Sequence, residues 1–260
     1  MTYSIIATCP DTGHRGIAVA SRFFAVGALV PHIRGNRATV ATQAFVNPLW
    51  GLEGANRLAA GEAADAVLAD LVARDGGQTQ RQAHMIDAAG RIAAHTGAEC
   101  VTWAGHIAGE GVSVAGNMLV GPQVIEATLD AFNAATGPLA ERLMTAMEAG
   151  LAAGGDKRGT QSAALRIHRN EDYAWLDLRA DDHADPLAEL RRLYDVAHER
   201  FVHFADAMPT RENFSGVTDR APIDRAIATA DAAREVRNIP SRSYAVDCGG
   251  VKSGHGAAQK

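Results

Sequence analysis

The order in which strand-like and helix-like stretches follow one another constrains this chain more than any single motif. Thr2 to Cys9 alternates and is rich in β-branched residues, Pro10, Asp11 and Gly13 break the run, and Gly16 to Ser21 resumes it: a strand, a turn and a second strand. After the turn-like Arg34 to Arg37, Ala38 to Phe45 supplies a third strand, so three antiparallel strands are expected before any long helix. Asn47 and Pro48 then punctuate the chain, and apolar residues at helical spacing, interrupted by Gly61, predict helices over about 51–60 and 62–74. Residues 80–95 read as two strands around a turn at Asp87 to Gly90, and 111–117 as a short strand.

Two further helices, about 122–135 and 138–153, each start at a proline and end before Gly154 and Gly155. The segments 161–169 and 173–181 read as strands, 185–208 as one helix and 222–237 as another. This grouping excludes regular βαβ alternation, and no GxGxxG opens a helix after a strand, so a layered α+β fold with mostly antiparallel sheets is expected. Composition changes near Pro209, and the last twenty or so residues, rich in Gly and Ser, read as a weakly ordered or partner-bound tail.

At 260 residues and 47% apolar, the chain can bury one substantial core. A net charge of -5 with scattered basic residues provides no cationic field for nucleic acid. No apolar run approaches the roughly 18 to 20 residues of a membrane span, and residues 1–20 lack the pattern of a secretory signal, so a soluble cytoplasmic protein is expected, with neither membrane nor nucleic-acid partner. Cys9, Cys100 and Cys248 form no CxxC pair, and the spacing of His95, Cys100 and His106 matches no zinc pattern; no metal or other cofactor is expected.

The strand, hairpin, third strand, helix pair, strands and second helix pair, followed by "GGDKRGTQSAAL", are similar in order to the N-terminal-nucleophile (Ntn) hydrolases, proteasome β-type subunits among them. More closely, "SIIATCPDTGHRGIAVASRFFAVGALVP", "VATQAFVNPLWG", "AAHTG", "WAGHIAGEGVSVAGNML" and "AAGGDKRGTQSAAL" resemble the motifs of the DUF1028 proteins, a family grouped with the Ntn hydrolases by fold. The resemblance covers roughly residues 1–196. It implies an αββα four-layer sandwich of two stacked antiparallel sheets flanked by helices; with the composition change near Pro209, this domain is expected over 1–208 and a C-terminal helical extension and tail over 209–260. It supplies no reaction, and fold alone is weak evidence of one.

Thr2 heads the candidate site, because excision of Met1 would set a free α-amine beside its hydroxyl, uniting base and nucleophile in one residue. The competing reading is an ordinary first strand residue. Ser4, two residues on, shares the face of Thr2 and is the reserve nucleophile. Ser21 and Arg22 stand where related Ntn hydrolases carry an acid beside the nucleophile; here the acid is missing, and Arg22 can bind a substrate carboxylate or sit in a surface ion pair. His32 lies near the place of a catalytic Lys in proteasome-type subunits. Asp156 is by position the counterpart of an Asp that supports the N-terminal residue in those relatives.

Gly116 and Asn117 end a strand with N–H groups and an amide suited to an oxyanion hole, and Arg158 and Ser162 follow Asp156. Thr42, Gln43 and Asn47 either line a pocket or cap the next helix. The expected activity is Ntn-type amide or related C–N hydrolysis of a small, polar, carboxylate-bearing substrate, in a homo-oligomer. The alternative is a non-catalytic binding or assembly protein on the same fold.

Overall fold

The opening hairpin forms where the alternation places it. β1 (Thr2–Thr8) and β2 (Arg15–Ser21) pair antiparallel with Thr2 opposite Ser21, and Gly13 takes the left-handed conformation (φ 69°) that the turn between them needs. The computed structural model describes residues 2–245, a mixed α/β fold with two antiparallel sheets and helices. In the larger sheet β1 is central: β8 (Val112–Asn117) lies on one side with β7 (Gly105–Gly109) beyond it. On the other side, β2 is followed by β9 (Ser162–His168) and β10 (Leu176–Ala180). The smaller sheet runs β3 (Pro31–Arg34), β4 (Ala38–Ala44), β5 (Arg81–Ile86), β6 (Ile92–Thr96).

Two strands depart from expectation. Four strands, not three, precede the first helix, because the four-residue β3 opens with proline and carries only Ile33 as a strong β-former. The edge strand β7, "GHIAG", holds two glycines and no continuous apolar face; its pairing with β8, not its own propensity, makes it a strand.

Alternation along β1 sorts its side chains. Tyr3, Ile5 and Ala7 join an apolar cluster with α3 (Gln123–Ala134), α4 (Leu139–Ala152) and α5 (Pro186–Glu199). Ile6 points the other way, into a cluster shared by both sheets that includes Ile17, Val19, Ile33, Ala41 and Ile86. The far face of the smaller sheet packs through Val40 and Met85 on α1 (Pro48–Ala59) and α2 (Ala64–Arg74). Between the sheets, the buried Arg15 donates to the carbonyls of Ile86 (3.1 Å) and Asp87 (2.7 Å), tying β2 to the end of β5 at the opposite end of β1 from Thr2.

The helix expected over 185–208 is two: α5 stops at Arg200, whose extended φ of -145° separates it from α6 (Phe201–Ala205). α7 (Ala221–Val236) packs against both and buries only Ile227. Of the expected tail, residues 246–260 lie outside the described residues; just before them, Arg242 N–H donates to Glu199 of α5 (2.9 Å). Among the described residues no helix is long and apolar enough to cross a membrane.

Candidate functional site

The inner face of β1 carries Thr2, Ser4 and Ile6 toward the second sheet, and the first two start a polar zone where the third starts an apolar one. Thr2 lies between Ser21 of β2 and Asn117 of β8. Its Oγ1 is 3.1 Å from Ser21 Oγ, which also accepts the N–H of Phe23 at 3.0 Å. Thr2 and Gln43 further line a cavity of about 80 Å³, whose other walls come from 23–30 and 44–46. Two alanines beside this cavity hold left-handed backbone, Ala25 (φ 51°) and Ala44 (φ 68°). Backbone strain of this kind collects at functional sites and costs about 1–3 kcal/mol each.

Behind Thr2 runs a buried chain of side-chain hydrogen bonds whose polarity is fixed by two backbone carbonyls. Gln82 Nε2 is 2.9 Å from Gly116 O and 3.1 Å from Gly105 O, and both oxygens only accept. Gln82 Oε1 therefore faces Gln43 Nε2 (2.9 Å) and Asn117 Nδ2 (3.0 Å), which donate to it. Gln43 Oε1 is thus turned to Ser4, whose hydroxyl donates at 2.7 Å.

With its one proton committed, Ser4 Oγ can only accept from His84 Nε2, 2.9 Å away. A neutral imidazole has one N–H, so His84 Nδ1 accepts from Ser113 Oγ at 3.0 Å. Burial, with a smaller effect of the nearby His106, pushes the His84 pKa down to about 3, so the neutral ring that this chain requires is the stable form. Ser4, fully buried and donating to an amide, lacks an acceptor base and is unsuited to attack a carbonyl.

Asp156 pairs by backbone with Leu119, two residues beyond Asn117, while Gln161 N–H donates to Ser21 O at 2.8 Å. The segment 156–161 thus runs between the two strands that flank Thr2. Asp156 Oδ1 accepts from Arg158 N–H at 2.7 Å and lies 3.4 Å from Arg158 Nε, whereas the buried Oδ2 has no hydrogen-bond partner among the described residues. Arg158 is half-exposed, and Arg22, directly after Ser21, is exposed with no ion pair among the described residues.

Thr2, Ser4, Ser21, Gln43, Gly116 and Asn117 are thus brought together by pairing and hydrogen bonds, with Arg22, Asp156 and Arg158 on adjoining segments. Ser162 instead anchors a loop, donating to Phe23 O (2.5 Å) and accepting from Val26 N–H (3.1 Å). Three other candidates do not join the cleft. His32 is on the opposite face of its strand from Ile33, its Nε2 on Leu29 O at 3.1 Å, packed against Gly51 of α1; burial lowers its pKa. Thr42 donates to Asn47 O, and Asn47 caps α1 by accepting from Leu49 N–H, the capping alternative. His95, Cys100 and His106 bind separate partners (Gln78 O, Arg81 O and Thr96 Oγ1), and no metal-binding group of three occurs among the described residues.

Sequence reasoning missed Gln82, His84 and Ser113. The only signal was a pair of polar residues at period two in "QAHMI", which a half-exposed strand shows equally well.

A pair of antiparallel sheets enclosing a polar seam, with a hydroxyl at the head of the central strand, defines the structural class. The chain belongs to the family of unknown function DUF1028, whose model matches residues 2–190. It is similar to the crystal structure of the DUF1028 protein SPO2555 from Silicibacter pomeroyi, with 29% identity, a TM-score of 0.78, and coverage of 84% of this chain and 99% of that one. A fainter likeness joins it to Anbu, an ancestral β-subunit, from Yersinia bercovieri: 10% identity and a TM-score of 0.37 over 74% of this chain and 92% of that one, a level at which neither fold nor activity transfers. No curated protein matches the chain.

Proposed function

We propose that this protein is an Ntn-type hydrolase that cleaves an amide or related C–N bond, with Thr2 as nucleophile once Met1 has been removed. The observation that carries this reading is the contrast between two hydroxyls on one strand face. Thr2 reaches a cavity and, with its hydroxyl, Ser21, whereas Ser4 is locked in the seam. The three apolar clusters, one between the sheets and one beneath each set of helices, support the αββα four-layer arrangement that such enzymes share.

In this mechanism the free α-amine takes the Thr2 hydroxyl proton as Oγ1 bonds to the carbonyl carbon. The C–N bond then breaks, the proton passes to the leaving nitrogen, and water hydrolyses the resulting ester to restore the hydroxyl. Asp156 Oδ2, a buried acceptor lacking a donor, supports a place for that amine. Arg22, exposed and without an ion pair among the described residues beside Ser21, suits a carboxylate on the leaving portion of a small substrate. Arg22 in place of an acid is also what favours the second reading, a ligand-binding or assembly protein. Intact mass of the purified protein, with turnover of N-acyl amino acids by wild type and Thr2→Ala, decides between them.

We also read the protein as a homo-oligomer, on the exposed Phe201, Phe204 and Phe214 of α6 and the segment beyond Pro209. Residues 1–208 are the catalytic unit in this reading and 209–260 its extension.

A further inference from the structure

The cavity at Thr2 has walls that the carboxylate-directed features above do not explain. Phe23, Val26, Leu29, Val30, Ala44 and Val46 line it, and among the described residues its polar contributors are Thr2 and Gln43. Gln43 brings little polarity, since its Oε1 is held by Ser4 and its Nε2 by Gln82. Among the described residues no charged side chain lines the space: Arg22 and Arg158 are both outside it.

From these walls we infer that the cavity is an acyl-group subsite for a short branched aliphatic chain, of the isobutyryl type. This rests on the reading of Thr2 as nucleophile for its placement on the acyl side of the bond. Size sets the chemistry. An enclosed apolar cavity of about 150 Å³ holds a benzene ring, so 80 Å³ takes in about three or four carbons and is too small to enclose an aromatic ring. An ionised group entering it would lose its hydration against mostly aliphatic walls that offer no opposite side-chain charge among the described residues. Each carbon group buried contributes about fourfold in affinity, so isobutyryl exceeds propionyl by about fourfold and acetyl by more. The substrate then has two unlike ends: an aliphatic acyl group in the cavity and a carboxylate on the leaving amine at Arg22.

The test separates the subsite from the chemistry. Methyl-labelled wild type and Thr2→Ala are titrated with isobutyramide, benzamide and succinamate. Isobutyramide is expected to shift the methyl signals of Val26, Leu29, Val30 and Val46 in both proteins, at concentrations at least tenfold below those at which the other two do. Val46→Phe, which fills the half-buried rim, should abolish the shifts, and Leu29→Ala should admit benzamide. In parallel, N-isobutyrylglycine, N-acetylglycine, N-benzoylglycine and N-succinylglycine are offered as substrates. Isobutyramide in the cavity without any cleavage of N-isobutyrylglycine upholds the subsite and defeats the Thr2 reading. Thr2-dependent cleavage at equal rates for all four acyl groups upholds the Thr2 reading and overturns the subsite, as does equal binding of succinamate or benzamide.

Discussion

Gln82 Nε2 stands 2.9 Å from the carbonyl oxygen of Gly116, and that contact sets the sense of the hydrogen bonds that run through Gln43 and Ser4 to His84. A backbone carbonyl cannot donate, so the amide of Gln82 cannot be reversed without leaving two carbonyl oxygens, that of Gly116 buried, facing a third.

Gln82→Glu tests this polarity directly. The introduced carboxylate presents acceptors to Gly105 O and Gly116 O, and these lose the donor they share. Each buried group left unmatched costs about 1–3 kcal/mol, so urea unfolding should show a loss of about 2–4 kcal/mol. A loss under about 1 kcal/mol would mean that the seam is not held in one sense.

The His84 ring makes a pH prediction. Its folded pKa, about 3, lies below the ordinary 6.5, so between these values the unfolded chain binds the extra proton. Protonation therefore favours unfolding, and this contribution to stability, whole above about pH 6.5, shrinks as pH falls toward 3. Burial depresses the folded pKa of His168, to about 4, and of His32 as well, so the whole protein shows the same trend and the variant isolates one residue. Between pH 6 and pH 4, unfolding free energy of wild type should fall more steeply than that of His84→Gln, by up to about 1.4 kcal/mol per pH unit. Equal slopes would place His84 in contact with water.

How far the sequence discloses this site follows from the range of the interactions involved. The period-two pattern of β1 is local, and it placed Thr2 and Ser4 on one face correctly. Asn47 before Pro48 is likewise a local signal, and its capping role was among the alternatives read there. Gln82 and His84 sit on a strand covered on both sides, a fact decided by the larger sheet and by α1 and α2, not by "QAHMI" itself. His84 meets Ser4 and Ser113 across the gap between sheets, contacts that link distant segments and leave no periodic trace. His32 misled for the same reason: its place in the sequence was near a site, but the pleat turned it to α1.

That orientation is itself testable. A Cβ added at Gly51 would come within 2.1 Å of the His32 ring. Gly51→Ala should therefore destabilise by about 1–3 kcal/mol, the usual cost of overpacking. Because the clash is with one ring, His32→Ala should recover much of the loss when combined with it, a non-additivity read from the double-mutant cycle. Simple additivity would show that the ring is not the obstacle.

The exposed aromatics of α6 and of the segment beyond Pro209 carry a prediction about assembly. Phe201, Phe204 and Phe214 are 46%, 38% and 91% exposed. Light scattering at micromolar concentration should give a mass above that of one chain, and Phe201→Asp with Phe214→Asp should lower it. A monomer in both cases would leave these side chains without the interface proposed for them.

The hydroxyl at the head of β1 gives the mechanistic prediction. If Thr2 is the nucleophile, untagged protein from cells should lack Met1 by intact mass, because an amide nitrogen is not a base for the hydroxyl. Thr2→Ala should reduce turnover of the best N-acyl amino acid by about a thousandfold or more, with little change in thermal midpoint. Thr2→Ser should keep part of the activity, since the hydroxyl survives, and an N-terminal extension should behave as the Ala variant does. Ser4→Ala should separate the two hydroxyls: it removes a buried donor to Gln43, so stability falls by about 1–3 kcal/mol while the hydroxyl of Thr2 is left in place. Asp156→Asn should lower the rate and alter its pH profile, because the neutral amide no longer stabilises a charged amine, whereas a role confined to holding Arg158 would leave the profile unmoved. Full turnover by protein shown to retain Met1 would remove Thr2 from this role and, with Ser4 held in the seam as a donor, call for a nucleophile elsewhere, whereas no turnover by protein shown to lack Met1 would favour the ligand-binding reading.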